Sequence, residues 1–406
     1  MTDRRSRPGR TADDRKEFFV SAADNKDERE LETPRRRIRP ERLALLILLG
    51  LAVIAGVLWL ILHKRSGFTR AEIEKTYTTA ASGQAGIAPF GDGLLRYSAD
   101  GASFLDTEGR ELWNVNYSMN APRFLCQGSH ALLADMYGNL AVILDMSGEC
   151  GRFTTAEPII NAAVSAGGVT AVALERDLNS LICFYNELGI RLDIEISLEM
   201  AVSGYPMAMA LSPDGSGLVL SMVSSQSGNL NSQLVFYNFT VGRSEANRLV
   251  GYFNHEGHLL TQIDYLSAKR VAAVSEDGLE IYSLEQENKP ELKASVPFPG
   301  EIVSYAAANR REAFLCPEPG TGDLILSVYD DDGEECFSKK LSSGARGLTL
   351  GSELVMLQTD GRVDLWTYSG TSYFSGTLPQ PGAGLYLMGK KLLQLDGNRI
   401  RQYRFR

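Results

Sequence analysis

The run His255-Glu256-Gly257-His258 holds residue types that could bind a metal ion. Imidazole and carboxylate groups are ligands that Zn²⁺ uses in proteins. However, the run contains a glycine turn signal and lacks the helical i, i+4 histidine spacing of zinc proteases. The sequence therefore predicts a surface turn here, with a divalent-cation site as the alternative.

A second acidic run, 330–335, reads Asp-Asp-Asp-Gly-Glu-Glu. Carboxylates are the ligands that Ca²⁺ prefers, but an EF-hand loop spaces them at alternate positions and adds a distal glutamate. This run has neither feature. We interpret it as an acidic hairpin.

Catalytic signatures are missing from the sequence. There is no Gly-x-Ser-x-Gly nucleophile elbow and no glycine-rich phosphate loop, and four histidines leave few candidates for a triad. The five cysteines have spacings that match no zinc site, and their odd number leaves at least one unpaired. The sequence thus predicts no catalytic residue, no cofactor, no metal site and no enzyme.

A short phrase recurs through most of the chain and indicates how it folds. An apolar or aromatic residue is followed by Asp or Asn, two variable residues and Gly, as in Leu105-Asp106-Thr107-Glu108-Gly109. Clear copies start at Leu144, Tyr185 and Tyr329, and looser ones at Trp366, Tyr237, Tyr282 and Tyr403. The mean spacing of about 43 residues is typical of β-propellers.

Each repeat contains four short β-rich runs, and Asp-Gly pairs such as Asp100-Gly101 and Asp277-Gly278 mark tight hairpins. The acids of the phrase are therefore interpreted as turn residues. The last repeat stops one strand short, and 73–82 resembles the fourth strands elsewhere. We expect this segment to complete an eight-bladed, all-β propeller, with seven blades as the alternative.

Residues 43–62 are uncharged and apolar. Twenty residues at about 1.5 Å each span about 30 Å, the thickness of a bilayer core. Lys and Arg are denser before this run than after it, which predicts a cytoplasmic N-terminus. The predicted organisation is a disordered tail (1–41), a transmembrane helix (42–64), a linker (65–72) and an extracytoplasmic propeller (73–406).

Charge excludes nucleic acid as a partner. Residues 1–42 carry 13 Lys/Arg and 10 Asp/Glu, a net charge of +3. The whole chain has a net charge of −9, so the residues after 42 carry −12. An outer domain this acidic repels polyanions. The expected partners are the membrane and a protein or cell-envelope polymer, and the oligomeric state stays open.

Blade four departs most from the repeat, at 222–233 and 240–258. Insertions confined to one blade often form a contact surface. The candidate partner surface comprises polar residues of these stretches: Gln226, Asn229, Asn231, His255 and His258.

The phrase at Leu105-Asp106 and Gly109, followed by Leu112-Trp113, resembles the repeat of quinoprotein-type propellers. The spacer is one residue shorter and only this copy keeps its Trp, so the resemblance implies the fold and no quinone cofactor. The basic tail, single span and eight repeats are similar to a family of bacterial membrane-anchored propellers of unknown function. That resemblance implies location and shape but no site residues.

The favoured function is a non-catalytic binding or scaffolding module at the outer face of a bacterial cytoplasmic membrane. The alternatives are a sensor that signals through its N-terminal tail, and a quinone-dependent or carbohydrate-active enzyme with its site in the channel.

Overall fold

The computed structural model describes residues 48–56, 67–78, 86–226, 229–241, 248–286, 288–342, 344–380, 382 and 384–406. The predicted tail, 1–41, and most of the predicted span, 42–64, lie outside these ranges. Residues 48–56 are helical. Within the described ranges, no helix has the length and apolar character needed to cross a membrane. The membrane span stays a prediction.

Thirty-two β-strands form eight four-stranded antiparallel sheets in the described residues. Blade one contains β2 (Gly86–Phe90), β3 (Gly93–Tyr97), β4 (Gly101–Leu105) and β5 (Glu111–Asn116). Blade two contains β6 (Pro122–Gln127), β7 (His130–Asp135), β8 (Leu140–Asp145) and β9 (Gly148–Thr154). Blade three contains β10 (Ile159–Val164), β11 (Thr170–Arg176), β12 (Asn179–Tyr185) and β13 (Arg191–Glu199), and a short helix α1 (Met200–Ser203) follows it. Blade four contains β14 (Tyr205–Leu211), β15 (Gly217–Gln226), β16 (Asn229–Asn238) and β17 (Leu249–Glu256).

The remaining blades repeat the same order from the inner to the outer strand. Blade five contains β18 (Leu260–Ser267), β19 (Arg270–Ser275), β20 (Gly278–Ser283) and β21 (Glu291–Pro297). Blade six contains β22 (Ser304–Ala308), β23 (Arg311–Pro317), β24 (Leu324–Asp330) and β25 (Glu335–Leu341). Blade seven contains β26 (Ala345–Leu350), β27 (Leu354–Thr359), β28 (Arg362–Thr367) and β29 (Ser372–Thr377). Blade eight contains β30 (Leu385–Met388), β31 (Lys391–Asp396), β32 (Arg399–Phe405) and β1 (Ala71–Thr78).

The eight-bladed propeller is confirmed, and the seven-bladed alternative is set aside. Strand β1 pairs antiparallel with β32 from Ala71 opposite Phe405 to Thr78 opposite Arg399. The first described strand of the ring therefore supplies the outer strand of the last blade. This pairing covers an edge of β32 that would otherwise present unpaired N–H and C=O groups.

The recurring phrase forms the hairpin between the third and fourth strands of a blade. In blade one, the Asp106 carboxylate accepts hydrogen bonds from the backbone N–H groups of Glu108 (2.8 Å) and Arg110 (2.9 Å). Gly109 has a φ of +77°, which a residue with a side chain rarely adopts. The acids of the phrase act as turn residues because they satisfy backbone donors that the tight turn leaves free.

The core lies between the blades. Each pair of adjacent blades encloses a buried apolar cluster, and the cluster between blades eight and one contains Leu94, Leu105, Leu393 and Ile400. Trp113 also joins blades, because its indole N–H donates to the Met146 carbonyl of blade two at 3.1 Å. The packing is thus continuous around the ring.

Candidate functional site

Blade four carries the longest described strands. Strands β15 and β16 have ten residues each, and they pair from Gly217 opposite Asn238 to Gln226 opposite Asn229. Gln226 and Asn229 therefore face each other at the far end of this hairpin. Their side chains lie outside the described part of the structure.

Asn231 joins this hairpin to the outer strand of the blade. It lies opposite Glu256 of β17, and its side-chain oxygen accepts a hydrogen bond from the N–H of Gly257 at 2.9 Å. Three of the five predicted partner residues, Gln226, Asn229 and Asn231, consequently share one hairpin.

The two histidines of the 255–258 run face different acids. His255 is largely buried against blade five, where its Nε2 lies 2.8 Å from Glu280 Oε2. Tyr282 donates its hydroxyl proton to the same Glu280 oxygen. This side chain therefore joins two blades and offers little surface to a partner.

His258 is exposed, and its Nδ1 lies 3.2 Å from Asp277 Oδ2 and 3.8 Å from Glu276 Oε1. These three exposed side chains could approach one cation. Their exposure makes them equally consistent with a hydrated surface cluster, because exposed ion pairs contribute little energy. The two histidines of the run do not form a joint metal site.

An exposed face follows β16 and β17. Tyr252 (60% exposed) and Leu249 (41% exposed) lie on β17, which is the outer strand of blade four. The register places Tyr252 opposite Val235, and two positions away the amide of Gln233 donates to the Asn254 side-chain oxygen at 2.7 Å. We call Asn231, Gln233, Leu249, Tyr252 and Asn254 the blade-four face. It combines apolar area with amide groups.

The acidic run 330–335 is a hairpin, as interpreted from the sequence. The Asp330 carboxylate accepts from the backbone N–H of Asp332 (3.0 Å) and Glu334 (2.9 Å). Asp332 pairs with Arg270 of blade five at 2.9 Å and with Lys293 at 2.5 Å. Because these carboxylates already pair with separate partners, they do not converge on one cation.

The inner strands of blades two to five line a channel-facing cavity of about 230 Å³. Its wall includes Cys126, Gln127, Asn161, Gln262 and Asp264. Cys126 is exposed there, whereas Cys183 and Cys316 are buried, and all five cysteines are free thiols. The cavity lining combines amide and apolar residues with Arg123 and Tyr265.

Behind this wall lies a buried acidic cluster that sequence reasoning missed. Glu312 of β23 is fully buried, and neither of its carboxyl oxygens has a hydrogen-bond partner among the described residues. Tyr305 of the neighbouring inner strand donates to Asp264 Oδ2 at 2.5 Å. Burial, together with the charge of Asp264, raises the pKa of Glu312 well above its ordinary value. Burial likewise raises the pKa of Asp264.

No local sequence motif indicates this acidic cluster. Asp264 belongs to blade five, and Tyr305 and Glu312 belong to blade six. The one available signal is the acid within the otherwise apolar stretch Glu312 to Cys316. Glu312 has no access to solvent, so it cannot contact a substrate in the channel.

The family of the chain can now be stated. Residues 63–405 match DUF5711, a family of unknown function. The chain belongs to this family. The match confirms the expected resemblance to a propeller family of unknown function, and no curated protein matches this DUF5711 chain.

Several solved structures are similar in fold to this DUF5711 protein. BamB from Moraxella catarrhalis is 14% identical with a TM-score of 0.47, and the match covers 83% of this chain and 100% of that chain. Hsv2 from Kluyveromyces lactis is 10% identical with a TM-score of 0.45, covering 73% and 98%. Hydrazine synthase from Kuenenia stuttgartiensis is 14% identical with a TM-score of 0.44, covering 70% and 94%.

Proposed function

We propose that this protein is a non-catalytic binding or scaffolding module, held at the outer face of a bacterial cytoplasmic membrane by the apolar segment 43–62. The observation that carries the binding role is the blade-four face. It lies on the longest hairpin of the ring and leaves Tyr252 60% exposed on an outer strand. Exposed aromatic residues flanked by amides are typical of protein interfaces.

The residues of the channel favour a binding role over a catalytic one. A catalytic site needs titratable groups that converge within reach of a substrate. The channel wall carries Arg123, Cys126 and Asp264, but no described hydrogen bond or ion pair joins these three side chains. Their buried neighbour Glu312 is shielded from solvent. The acidic ring, with a net charge of −12 after residue 42, also favours protein or neutral polymer partners over nucleic acid.

Site-directed photocrosslinking in cells tests the binding role. A photoreactive amino acid is placed at Tyr252, and at Leu292 as a matched control. Leu292 is 48% exposed on β21, the outer strand of blade five. We expect a discrete crosslinked species from position 252 and none from position 292. Tyr252→Asp should abolish a species trapped from position 254, whereas Leu292→Asp should leave it. Equal crosslinking at positions 252 and 292, or none from any position of the blade-four face, would contradict the proposal.

Protease protection tests the membrane placement separately. Protease added to intact protoplasts should digest the ring and spare an epitope fused before residue 1. Digestion of the epitope with survival of the ring would reverse the proposed orientation, and release of the whole chain in a carbonate wash would contradict the anchor.

A further inference from the structure

A cluster of three metal-ligating side chains lies in blade two, away from the blade-four face. A ring nitrogen of His130, a carboxylate oxygen of Asp145 and Sγ of Cys150 all lie within 4.8 Å of one another. They come from β7, the end of β8 and β9, so the pairing of three strands brings them together. All three are half-buried, which leaves the cluster reachable from solvent.

The His130 ring is held in one tautomer. Its Nδ1–H donates to the backbone carbonyl of Ala166 in blade three at 2.7 Å. In the neutral ring Nε2 then carries the lone pair, and none of the described residues forms a hydrogen bond with it. A histidine that binds a metal through one nitrogen usually donates from the other to a carbonyl or carboxylate. The hydrogen bond to Ala166 thus gives the His130 ring the tautomer that metal binding through Nε2 requires.

A glycine of blade three, Gly168, lies beside the His130 ring where a larger residue would crowd it. Gly168 takes a φ of +81°, and a side chain there would lie 2.8 Å from His130 Cδ2 and 3.2 Å from Nε2. A Cβ atom at position 168 would also lie 2.8 Å from the Cβ atom of Glu187. Glu187 thus flanks the ring from the neighbouring blade.

The surroundings of Cys150 are strongly negative. Burial, followed by the charges of Asp145, Glu187 and Glu149, raises the pKa of this thiol to about 12. The Cys150 sulfur also lies within 4.8 Å of a carboxylate oxygen of Asp145. Negative groups around the sulfur favour a bound cation, and a metal deprotonates the thiol that binds it.

Comparison with blade one shows what blade two adds. Asp106 occupies the same turn position as Asp145, but its carboxylate also pairs with the Arg110 side chain at 2.7 Å. In blade two the Asp145 carboxylate accepts from the Ser147 N–H at 2.6 Å and lies beside a histidine and a cysteine. The turn function of the acid is kept, and an imidazole and a thiol are added next to it.

We propose that His130 Nε2, the Asp145 carboxylate and Cys150 Sγ form a Zn²⁺ site, with water as the fourth ligand. Zn–N and Zn–O bonds of about 2.0–2.2 Å and a Zn–S bond of about 2.3 Å place tetrahedral ligands roughly 3.3–3.8 Å apart. The observed limit of 4.8 Å holds for one ring nitrogen of His130, and side-chain movements of about 1 Å would close it to these distances. Nitrogen, oxygen and thiolate sulfur together suit Zn²⁺ better than Mg²⁺ or Ca²⁺.

Cobalt titration of the full-length protein in detergent tests this site. After chelation, Co²⁺ should bind with one equivalent and produce a thiolate-to-cobalt charge-transfer absorption, which Zn²⁺ then removes. Cys150→Ser should abolish that absorption. Cys336→Ser is the matched control, because Cys336 is also a half-buried thiol on a fourth strand, β25. His130→Gln should weaken Co²⁺ binding by at least about tenfold.

Asp145→Asn needs its own control, since this residue also supports a turn. Asp106→Asn reports the cost of the same change in a blade without the histidine and cysteine. We expect Zn²⁺ to raise the melting temperature of the wild type and of Asp106→Asn, but not of Asp145→Asn. An absent charge-transfer absorption, or one that survives Cys150→Ser, would overturn the site. Loss of the site would leave the crosslinking prediction for blade four unaffected.

Discussion

Replacing Glu312 with glutamine should stabilise the ring at alkaline pH and not at acidic pH. Glu312 is fully buried, and neither of its carboxyl oxygens has a hydrogen-bond partner in the described ranges. The groups that face it are the Asp264 carboxyl from β18 and the Tyr305 hydroxyl from β22. Neither carries a positive charge. Glu312→Gln keeps the size of the side chain and removes its ability to ionise.

The sign of the pH dependence follows from the raised pKa of Glu312. In the unfolded chain this carboxyl group ionises at its ordinary pKa near 4.5, whereas the folded protein holds it protonated to much higher pH. Folding therefore takes up a proton over this interval, and the stability of the wild type falls as the pH rises above about 4.5. The glutamine variant does not lose this contribution, so its advantage grows with pH.

The pH interval sets an upper bound on the stabilisation by Glu312→Gln. Each factor of ten in the acid dissociation constant corresponds to about 1.4 kcal/mol. Over the interval from the ordinary pKa of 4.5 to pH 8, the loss of wild-type stability is therefore at most about 5 kcal/mol. We expect a gain at pH 8 of no more than about 5 kcal/mol. With an unfolding entropy of about 2.1 cal/mol/K per residue over residues 71–406, a gain of that size raises the melting temperature by at most about 7 °C.

Thermal and urea unfolding of the full-length protein at pH 4.5 and pH 8 measure this difference. Glu301→Gln is the control, because Glu301 is exposed in the link before blade six. The control should change little at either pH. Equal shifts for Glu312→Gln at both pH values, or a loss of stability that grows with pH, would refute the assignment of Glu312 as a buried neutral acid.

Two further predictions concern the closure and packing of the ring. A chain that starts at residue 79 lacks β1, so it should lose several kcal/mol relative to one that starts at residue 67, since each net hydrogen bond contributes about 1 kcal/mol. Unfolding curves of both chains check this, and identical midpoints would contradict a closing role for β1. Trp113→Phe should cost about 1 kcal/mol, because it removes the indole hydrogen bond to Met146. Urea unfolding measures this cost. Trp366→Phe, in blade seven, is the comparison because it leaves the contact between blades one and two unchanged.

The fold was predictable because its signals are local. A hairpin needs an acceptor for its free N–H groups and a residue that tolerates positive φ, and Asp106 with Gly109 supplies both within four residues. The missing strand at the C-terminal end of the last repeat left one edge to fill, and β1 fills it next to β32. Repetition made each weak signal readable.

The candidate sites were only partly predictable. The sequence singled out blade four by its departure from the repeat, and the structure shows the longest hairpin there. It did not reveal that His255 faces Glu280 of the next blade. Contacts between blades depend on the rotation of one sheet against another, which no local pattern encodes.

By itself, the sequence determined the propeller fold, the positions of the hairpins and the acidic charge of the ring, and it favoured eight blades over seven. Only the tertiary structure decided which side chains meet. His130, Asp145 and Cys150 share one cluster because strand register aligns them, and Asp264 and Glu312 meet because two blades pack face to face. Local backbone chemistry fixes turns and strands over a few residues. Clusters that combine distant strands form only when the sheets have paired and the ring has closed.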